Sequence, residues 1–233
     1  MERRTIAILT AAGVGRRMNQ DIPKQFMYID DKPLIAYTLE AFQKHPSVDE
    51  IIVVCLKGWE EQLRDYAKQY GITKLSYIVP GGETGQESIR CGIMEASKHY
   101  DEDSICIIHD GNRGLVSQDI ISDALRIYET KGNAVAAMPC IEAIFRSNDG
   151  EKSNIEISRD ELFRTQTPHV WSLKKMIWAH EQAAKRGIVN TTATCTLMQK
   201  LGETVYFSKG SDKNLKITVP EDVEIFKALL KDK

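Results

Sequence analysis

The 233 residues are 42% hydrophobic and 27% charged, with a formal net charge of −2. That composition can bury a core, and it supplies no basic stripe for neutralising nucleic-acid phosphates. No apolar run approaches the roughly 18 residues of a membrane span, and the apolar stretch within residues 1–9 is too short for the core of a signal peptide.

Along the chain, strand-length apolar runs alternate with stretches of helical period. Residues 5–9 form the first run, and the small-residue loop Ala11-Ala12-Gly13-Val14-Gly15 follows. Helical spacing at Ile35, Leu39 and Phe42 leads to a run at 51–55, and spacing at Leu63, Tyr66, Ala67 and Tyr70 leads to one at 77–79. Residues 104–108, the helical set Ile120, Ala124 and Ile127, and residues 134–138 continue the alternation. The runs are aliphatic and do not alternate with polar residues, as expected of strands buried on both faces. The fold class read from this order is α/β, with a doubly wound, mostly parallel sheet. Residues 144–158 break the pattern. There Asn148-Asp149-Gly150 between β-compatible flanks predicts a hairpin, a β-arm projecting from the sheet. Helical spacing resumes at Leu173, Met176, Ile177 and His180, and Thr218-Val219-Pro220-Glu221 has the form of a capping box opening a last helix. With no repeat and no low-complexity linker, residues 1–233 read as one domain carrying the arm. The five cysteines (Cys55, Cys91, Cys106, Cys140, Cys195) are odd in number and never form a Cys-x-x-Cys pair. They read as small buried hydrophobes and imply a reducing, cytoplasmic setting.

The first loop carries the chemistry. Small residues after a buried strand let backbone N–H groups approach an anion closely, and in an open α/β sheet such a loop lies at the ligand-binding edge. Arg17 and Lys24, the latter in Pro23-Lys24-Gln25, are cations within reach of a polyphosphate there. A dinucleotide fingerprint would need a glycine or alanine where Met18 stands, and an acid where the chain reads Val53-Val54-Cys55-Leu56. A Walker loop would need Gly-Lys-Ser/Thr, which is absent. A purely structural glycine turn with solvated arginines remains open on the residues alone.

Ala11-Ala12-Gly13-Val14-Gly15-Arg16-Arg17-Met18 followed by Pro23-Lys24-Gln25 resembles the signature of nucleotidyltransferases that make CDP-linked alcohols. These are the 2-C-methyl-D-erythritol 4-phosphate and ribitol-5-phosphate cytidylyltransferases, and the resemblance extends over nearly the whole chain. It implies a Rossmann-like nucleotidyltransferase fold, CTP and a polyol phosphate as substrates, Mg2+ as cofactor, and a homodimer. The pathway would be isoprenoid or cell-surface polymer biosynthesis. Residues 81–92 resemble the segment that holds cytosine and ribose, with Gly81, Gly82 and Ser88 as the contacts. His109-Asp110-Gly111-Asn112-Arg113 resembles the stretch whose aspartate holds the magnesium, and a carboxylate ending a buried strand is otherwise a costly choice. A helix-capping aspartate is the alternative. Residues 165–169 resemble a loop following the arm, and residues 214–222 a segment that puts Lys216 on the phosphates. The resemblance thus implies catalytic cations Arg17, Lys24 and Lys216, and nucleotide contacts at Ala11, Ala12, Gly13, Gly15, Gly81, Gly82, Ser88, Asp110 and Gly111. Substrate contacts fall at Arg113, Thr167 and Arg159, the last reaching across a dimer interface.

The chain departs from the family pattern on the acceptor side. Ala193 stands where the family has an aspartate, Glu142-Ala143-Ile144-Phe145 loses a threonine and a lysine, and Gly114 replaces a proline; Gly85 replaces an arginine in the cytosine segment. Methylerythritol phosphate and the alditol phosphates (ribitol, arabinitol, glycerol) stay open as acceptors, with the lost residues favouring the alditols. A CTP-binding protein without transferase activity is the alternative. A glycosyltransferase of similar fold would show an Asp-x-Asp metal motif, which Asp101-Glu102-Asp103 fits only formally. His109 reads as a packed neighbour of Asp110, not a catalyst.

Overall fold

A computed structural model describes residues 2–15 and 22–231. β1 (Thr5–Ala11) leads into the glycine loop; a 3-10 turn (Lys24–Phe26), β2 (Tyr28–Ile29) and β3 (Lys32–Pro33) then precede α1 (Leu34–Lys44). The alternation continues through β4 (Glu50–Cys55), α2 (Glu60–Gln69), β5 (Leu75–Pro80), α3 (Gly85–His99), β6 (Ile105–Asp110), α4 (Gln118–Lys131) and β7 (Ala134–Pro139). After β8 (Ile144–Arg146) and β9 (Ile155–Ile157) come β10 (Phe163–Ser172), α5 (Leu173–Lys185), α6 (Thr194–Lys200), β11 (Phe207–Lys209) and α7 (Pro220–Lys231).

The main sheet has the order β11-β7-β10-β6-β1-β4-β5, and β10 alone runs against the rest. The non-alternating runs have a direct cause, since successive residues feed two different cores. Ala7, Leu9, Ile51 and Val53 pack with Ile35, Phe42 and Ile120 on one face. Ile6, Ile8, Ile52 and Val54 pack with Ile93, Trp171, Met176 and Met198 on the other. Each fully buried aliphatic side chain contributes about 1.5–3 kcal/mol by leaving water, so the parallel centre of the sheet is also the centre of stability.

Three expectations need correction. Residues 165–169, expected as a loop, lie inside β10, where His169 pairs with Ile108 of β6. Pro168 hides the strand, because proline cannot donate to a ladder. The chain absorbs it at an irregularity between Thr165 and His169, where the register against β7 shifts. Residues 77–79 do form strand, but β5 is the sheet's edge and is only partly buried, with Tyr77 stacked on His99 at 4.2 Å. The cap of α7 is displaced by one residue. The Asp222 carboxylate, not Glu221, reaches back to the N–H groups of Thr218 (2.6 Å) and Val219 (2.9 Å), because the helix starts at Pro220.

Residues 144–158 form the antiparallel pair β8–β9, in the register Ile144↔Ile157 and Arg146↔Ile155. Its turn is longer than two residues. The Asp149 carboxylate accepts from Glu151 and Lys152, and Gly150 takes φ 77°, a left-handed value that glycine adopts without strain. Asp101-Glu102-Asp103 sits before β6, at the opposite end of that strand from Asp110.

Candidate active site

The chain runs from β1 outward to β4 and β5, then returns to place β6 on the other side of β1. The crevice outside the carboxyl ends of β1 and β6 is thus the topological switch point where open α/β sheets bind ligands. A cleft of about 720 Å³ opens there, lined by Ala11–Val14 of the loop, Lys24 and Gln25, residues 82–86 with Ser88, Asp110, Arg113, Thr167, the 191–194 segment and Lys216. Arg17, expected as a cation of this site, lies outside the described residues.

The end of the cleft formed by the Gly81–Ser88 segment is built by close approach. A Cβ on Gly81 would stand 2.2 Å from the Ala12 Cβ, so only glycine lets the β5–α3 turn touch the first loop. Ser88, buried in α3, accepts from the Gly82 N–H at 3.2 Å, and Thr84 caps α3 by accepting from Glu87 N–H at 3.1 Å. Gly82 and Ser88 are on the cleft wall, whereas Gly15, Gly81 and Gly111, expected as nucleotide contacts, are not among the residues that line it. Gly111 is packed under Thr10 and Ile35 and receives the Thr38 hydroxyl on its carbonyl at 2.9 Å.

The charged end centres on Asp110. Its Oδ2 accepts from Arg113 Nε at 2.9 Å, its Oδ1 accepts from Lys216 Nζ at 3.0 Å, and its N–H donates to Thr167 Oγ1 at 3.1 Å. Burial alone would push this carboxyl up, but Lys216 and Arg113 outweigh it and hold it well below the usual range. The aspartate is therefore bound by cations and does not cap a helix. Two asparagines fix the distant partners of this cluster. Asn112 Nδ2 donates to Ile217 O, while Asn214 Nδ2 donates to Thr167 O at 2.8 Å and Asn214 O accepts from Arg113 Nη1 at 2.7 Å. Lys216 is thereby carried on a backbone stitched to β6 and β10, a role for Asn112 and Asn214 that residue patterns alone did not reveal.

His109 is fully buried against Phe42 (ring centroids 5.1 Å), and burial pushes it down to about 3, so it is a neutral packed neighbour. His180 Nε2 and Thr194 Oγ1, both on residues of the cleft wall, are buried without a hydrogen-bond partner among the described residues. Thr191 donates to Gln86 Oε1 at 3.0 Å, and Gln86 Nε2 donates to Ile188 O at 2.6 Å, which ties the 188–194 wall to α3. Arg159 lies outside this cleft, at the foot of the arm, where it donates to Ile141 O at 3.1 Å.

No group of three or more His, Cys, Asp or Glu side chains among the described residues could hold a metal by itself. Asp110 offers one hard carboxylate. That suits magnesium carried largely by substrate phosphates, the usual division of ligands for this ion.

The profile of the family described as IspD, 2-C-methyl-D-erythritol 4-phosphate cytidylyltransferase, matches residues 5–232. The chain belongs to this cytidylyltransferase family. It is 40% identical over 229 residues to the ribitol-5-phosphate cytidylyltransferase of Lacticaseibacillus paracasei, covering 97% of this chain and 98% of that protein. It is 36% identical over 223 residues to the 2-C-methyl-D-erythritol 4-phosphate cytidylyltransferase of Clostridium botulinum, covering 96% of each. The crystal structure of the 4-diphosphocytidyl-2C-methyl-D-erythritol synthase of Anaerococcus prevotii superposes with a TM-score of 0.81 at 25% identity, over 98% of this chain and 96% of that one. The cytidylyltransferase is thus a nucleotidyltransferase enzyme on a mostly parallel α/β sheet, of a family that joins CTP to a sugar phosphate. None of its helices, among the described residues, is long and apolar enough to cross a membrane.

Proposed function

We propose that this enzyme transfers the cytidylyl group of CTP to an alditol phosphate, ribitol 5-phosphate foremost. The observation that carries the reading is the meeting, in one cleft, of the small-residue loop, the Gly82–Ser88 turn and the Asp110–Arg113–Lys216 cluster. Relatives named for ribitol 5-phosphate at 40% and 36% identity, and the neutral Ala193 where the family carries an acid, support the alditol.

An oxygen of the acceptor phosphate attacks the α-phosphorus in line. A P–O bond forms there as the bond to the β-phosphate oxygen breaks, and the electron pair leaves with pyrophosphate. A phosphate oxyanion is already nucleophilic at neutral pH, so catalysis is positioning and charge neutralisation. Lys24, Lys216 and Arg17 spread positive charge over the transferring and leaving phosphates. Ala11, Ala12 and Gly13 present backbone to the phosphates, Gly82 and Ser88 hold cytidine, and Thr167 and Arg113 shape the acceptor side. When bound, magnesium on Asp110 would neutralise phosphate charge.

The test is labelled CTP with ribitol, arabinitol and glycerol phosphates and methylerythritol phosphate. CDP-ribitol should form with a kcat/KM at least about 10-fold above that for methylerythritol phosphate, the low end of the discrimination that one small substrate group can supply. A preference for methylerythritol phosphate overturns the acceptor assignment. Tight CTP binding with no turnover on any acceptor favours a CTP-binding protein without transferase activity. Calorimetry should rank CTP above UTP, ATP and GTP, and equal affinities would end the cytidine reading.

The arm supports a homodimer with shared pockets. Phe145 is 59% and Ile155 is 47% exposed on a two-stranded ribbon, which is marginal alone in water and is commonly covered by a two-fold partner. Arg159 then reaches the acceptor phosphate of the neighbouring site. Arg159→Ala should raise the acceptor's KM about 10–100-fold through loss of a charge-assisted hydrogen bond, with CTP affinity nearly unchanged. Mixing it with Lys24→Ala protein should restore about a quarter of the sites at most, since only heterodimers hold one intact pocket. Full activity from a protein that sediments as a monomer rules sharing out.

A further inference from the structure

Gln25 is 2% exposed, yet its amide makes two bonds that no packing requirement explains. Nε2 donates to Ala11 O at 2.7 Å and to Gly13 O at 3.0 Å. Ala11 O also receives the Leu56 N–H at 3.2 Å. In a planar trans peptide the N–H points opposite to the C=O of the same unit. Pinning the carbonyls of Ala11 and Gly13 to one side therefore turns the N–H groups of Ala12 and Val14 to the other, and both residues line the cleft.

The turn that carries Gln25 is itself anchored. Phe26 N–H donates to Pro23 O at 2.8 Å, and the buried Phe26 ring stacks on Trp59 at 4.6 Å and 15°. The loop is rich in alanine and glycine and has few side chains of its own to hold a shape. Glycine-rich backbone has the most conformational freedom to lose, so an external clamp is needed if its N–H groups are to converge before an anion arrives.

We infer that Gln25 is a positioning residue that presets the Ala12 and Val14 N–H groups for the triphosphate of the nucleotide; the inference rests on the nucleotide site proposed above. It acts through the loop and touches no reacting atom. A role in packing alone would alter every ligand of the cleft alike, whereas the clamp concerns phosphate only.

The experiment measures binding of CTP, inorganic tripolyphosphate and cytidine by calorimetry to the wild type, Gln25→Met and Gln25→Glu, with thermal melts of each. Gln25→Met keeps length and bulk but cannot donate. It should weaken CTP and tripolyphosphate by about 10-fold or more while cytidine stays within threefold, the loss expected of one or two mispositioned anion-binding donors. Gln25→Glu, which sets a carboxylate against two carbonyl oxygens, should weaken them further. CTP and tripolyphosphate binding within threefold of wild type in Gln25→Met, or an equal loss for cytidine, overturns the clamp. Tripolyphosphate tests it whichever base the site prefers, so failure of cytidine to bind the wild type counts against the cytidine reading and leaves the clamp to be judged on tripolyphosphate.

Discussion

Lys24→Ala and Lys216→Ala should each lower kcat with CTP and ribitol 5-phosphate by about 10²–10³, the usual effect of removing one preorganised group that stabilises transition-state charge. Both lysines line the cleft, and neither belongs to a hydrophobic core. The Lys216 side chain is 44% exposed, so solvent screens its end of the ion pair with Asp110 and its loss costs less stability than that of a buried partner would. Arg113 keeps Asp110 paired when Lys216 is gone. The expected result is therefore a large loss of turnover with a melting temperature within a few degrees of wild type, read from single-turnover rates and thermal melts. Near-wild-type turnover in both variants would remove the phosphate-cradle mechanism. Matched losses of turnover and stability would make these lysines structural.

Acid should unfold this protein early, through its buried imidazoles. Burial pushes His109 down to about 3, His169 to about 4 and His180 to about 4, the last helped by Arg90. In the unfolded chain each titrates near 6.5. Between these values the unfolded state binds protons that the folded state refuses, so stability falls as pH drops below about 6.5 and recovers as pH rises. Integrated from pH 7.5 to 5, three such groups remove on the order of 5 kcal/mol, a large share of the roughly 5–15 kcal/mol that holds a typical domain together. Asp110 works in the opposite sense. Its depressed carboxyl adds stability that is present above its unfolded value near 4 and is lost only as pH falls through the lower folded value, so the window from 6.5 to 5 belongs to the histidines. Denaturant melts across pH 5 to 7.5 should show the decline, and His180→Asn should remove about a third of it. A flat profile over that window would mean these imidazoles take up protons while folded.

Much of the site was legible in the residues. The loop from Ala11 to Gly15, Lys24, the Gly82–Ser88 turn, Asp110 and Lys216 were each marked by local pattern or by resemblance, and Lys24 and Lys216, more than 190 positions apart, line one cleft with Asp110. The partners that hold these groups were not legible. Asn112, Asn214 and Gln25 act through hydrogen bonds to backbone carbonyls, and a carbonyl has no identity in the sequence. Gln25 closes the Pro23-Lys24-Gln25 motif in the sequence, but its two bonds to Ala11 O and Gly13 O exist only in the folded chain.

The residues alone point to the doubly wound sheet, because strands covered on both faces are apolar at nearly every position and the short aliphatic runs at 5–9, 51–55 and 104–108 alternate with helix-period stretches. They also mark the small-residue loop after the first strand as a place where backbone can come close to a ligand, because small side chains are a local requirement of close approach. That residues 165–169 are strand depends on long-range pairing, because the partners that stabilise β10 around Pro168 come from β6 and β7, some 25 to 60 positions away. The tertiary structure alone decided the charge state of Asp110. A carboxylate in a strand end is raised by burial and lowered by cations, and which effect prevails depended on where the fold placed Arg113 and Lys216.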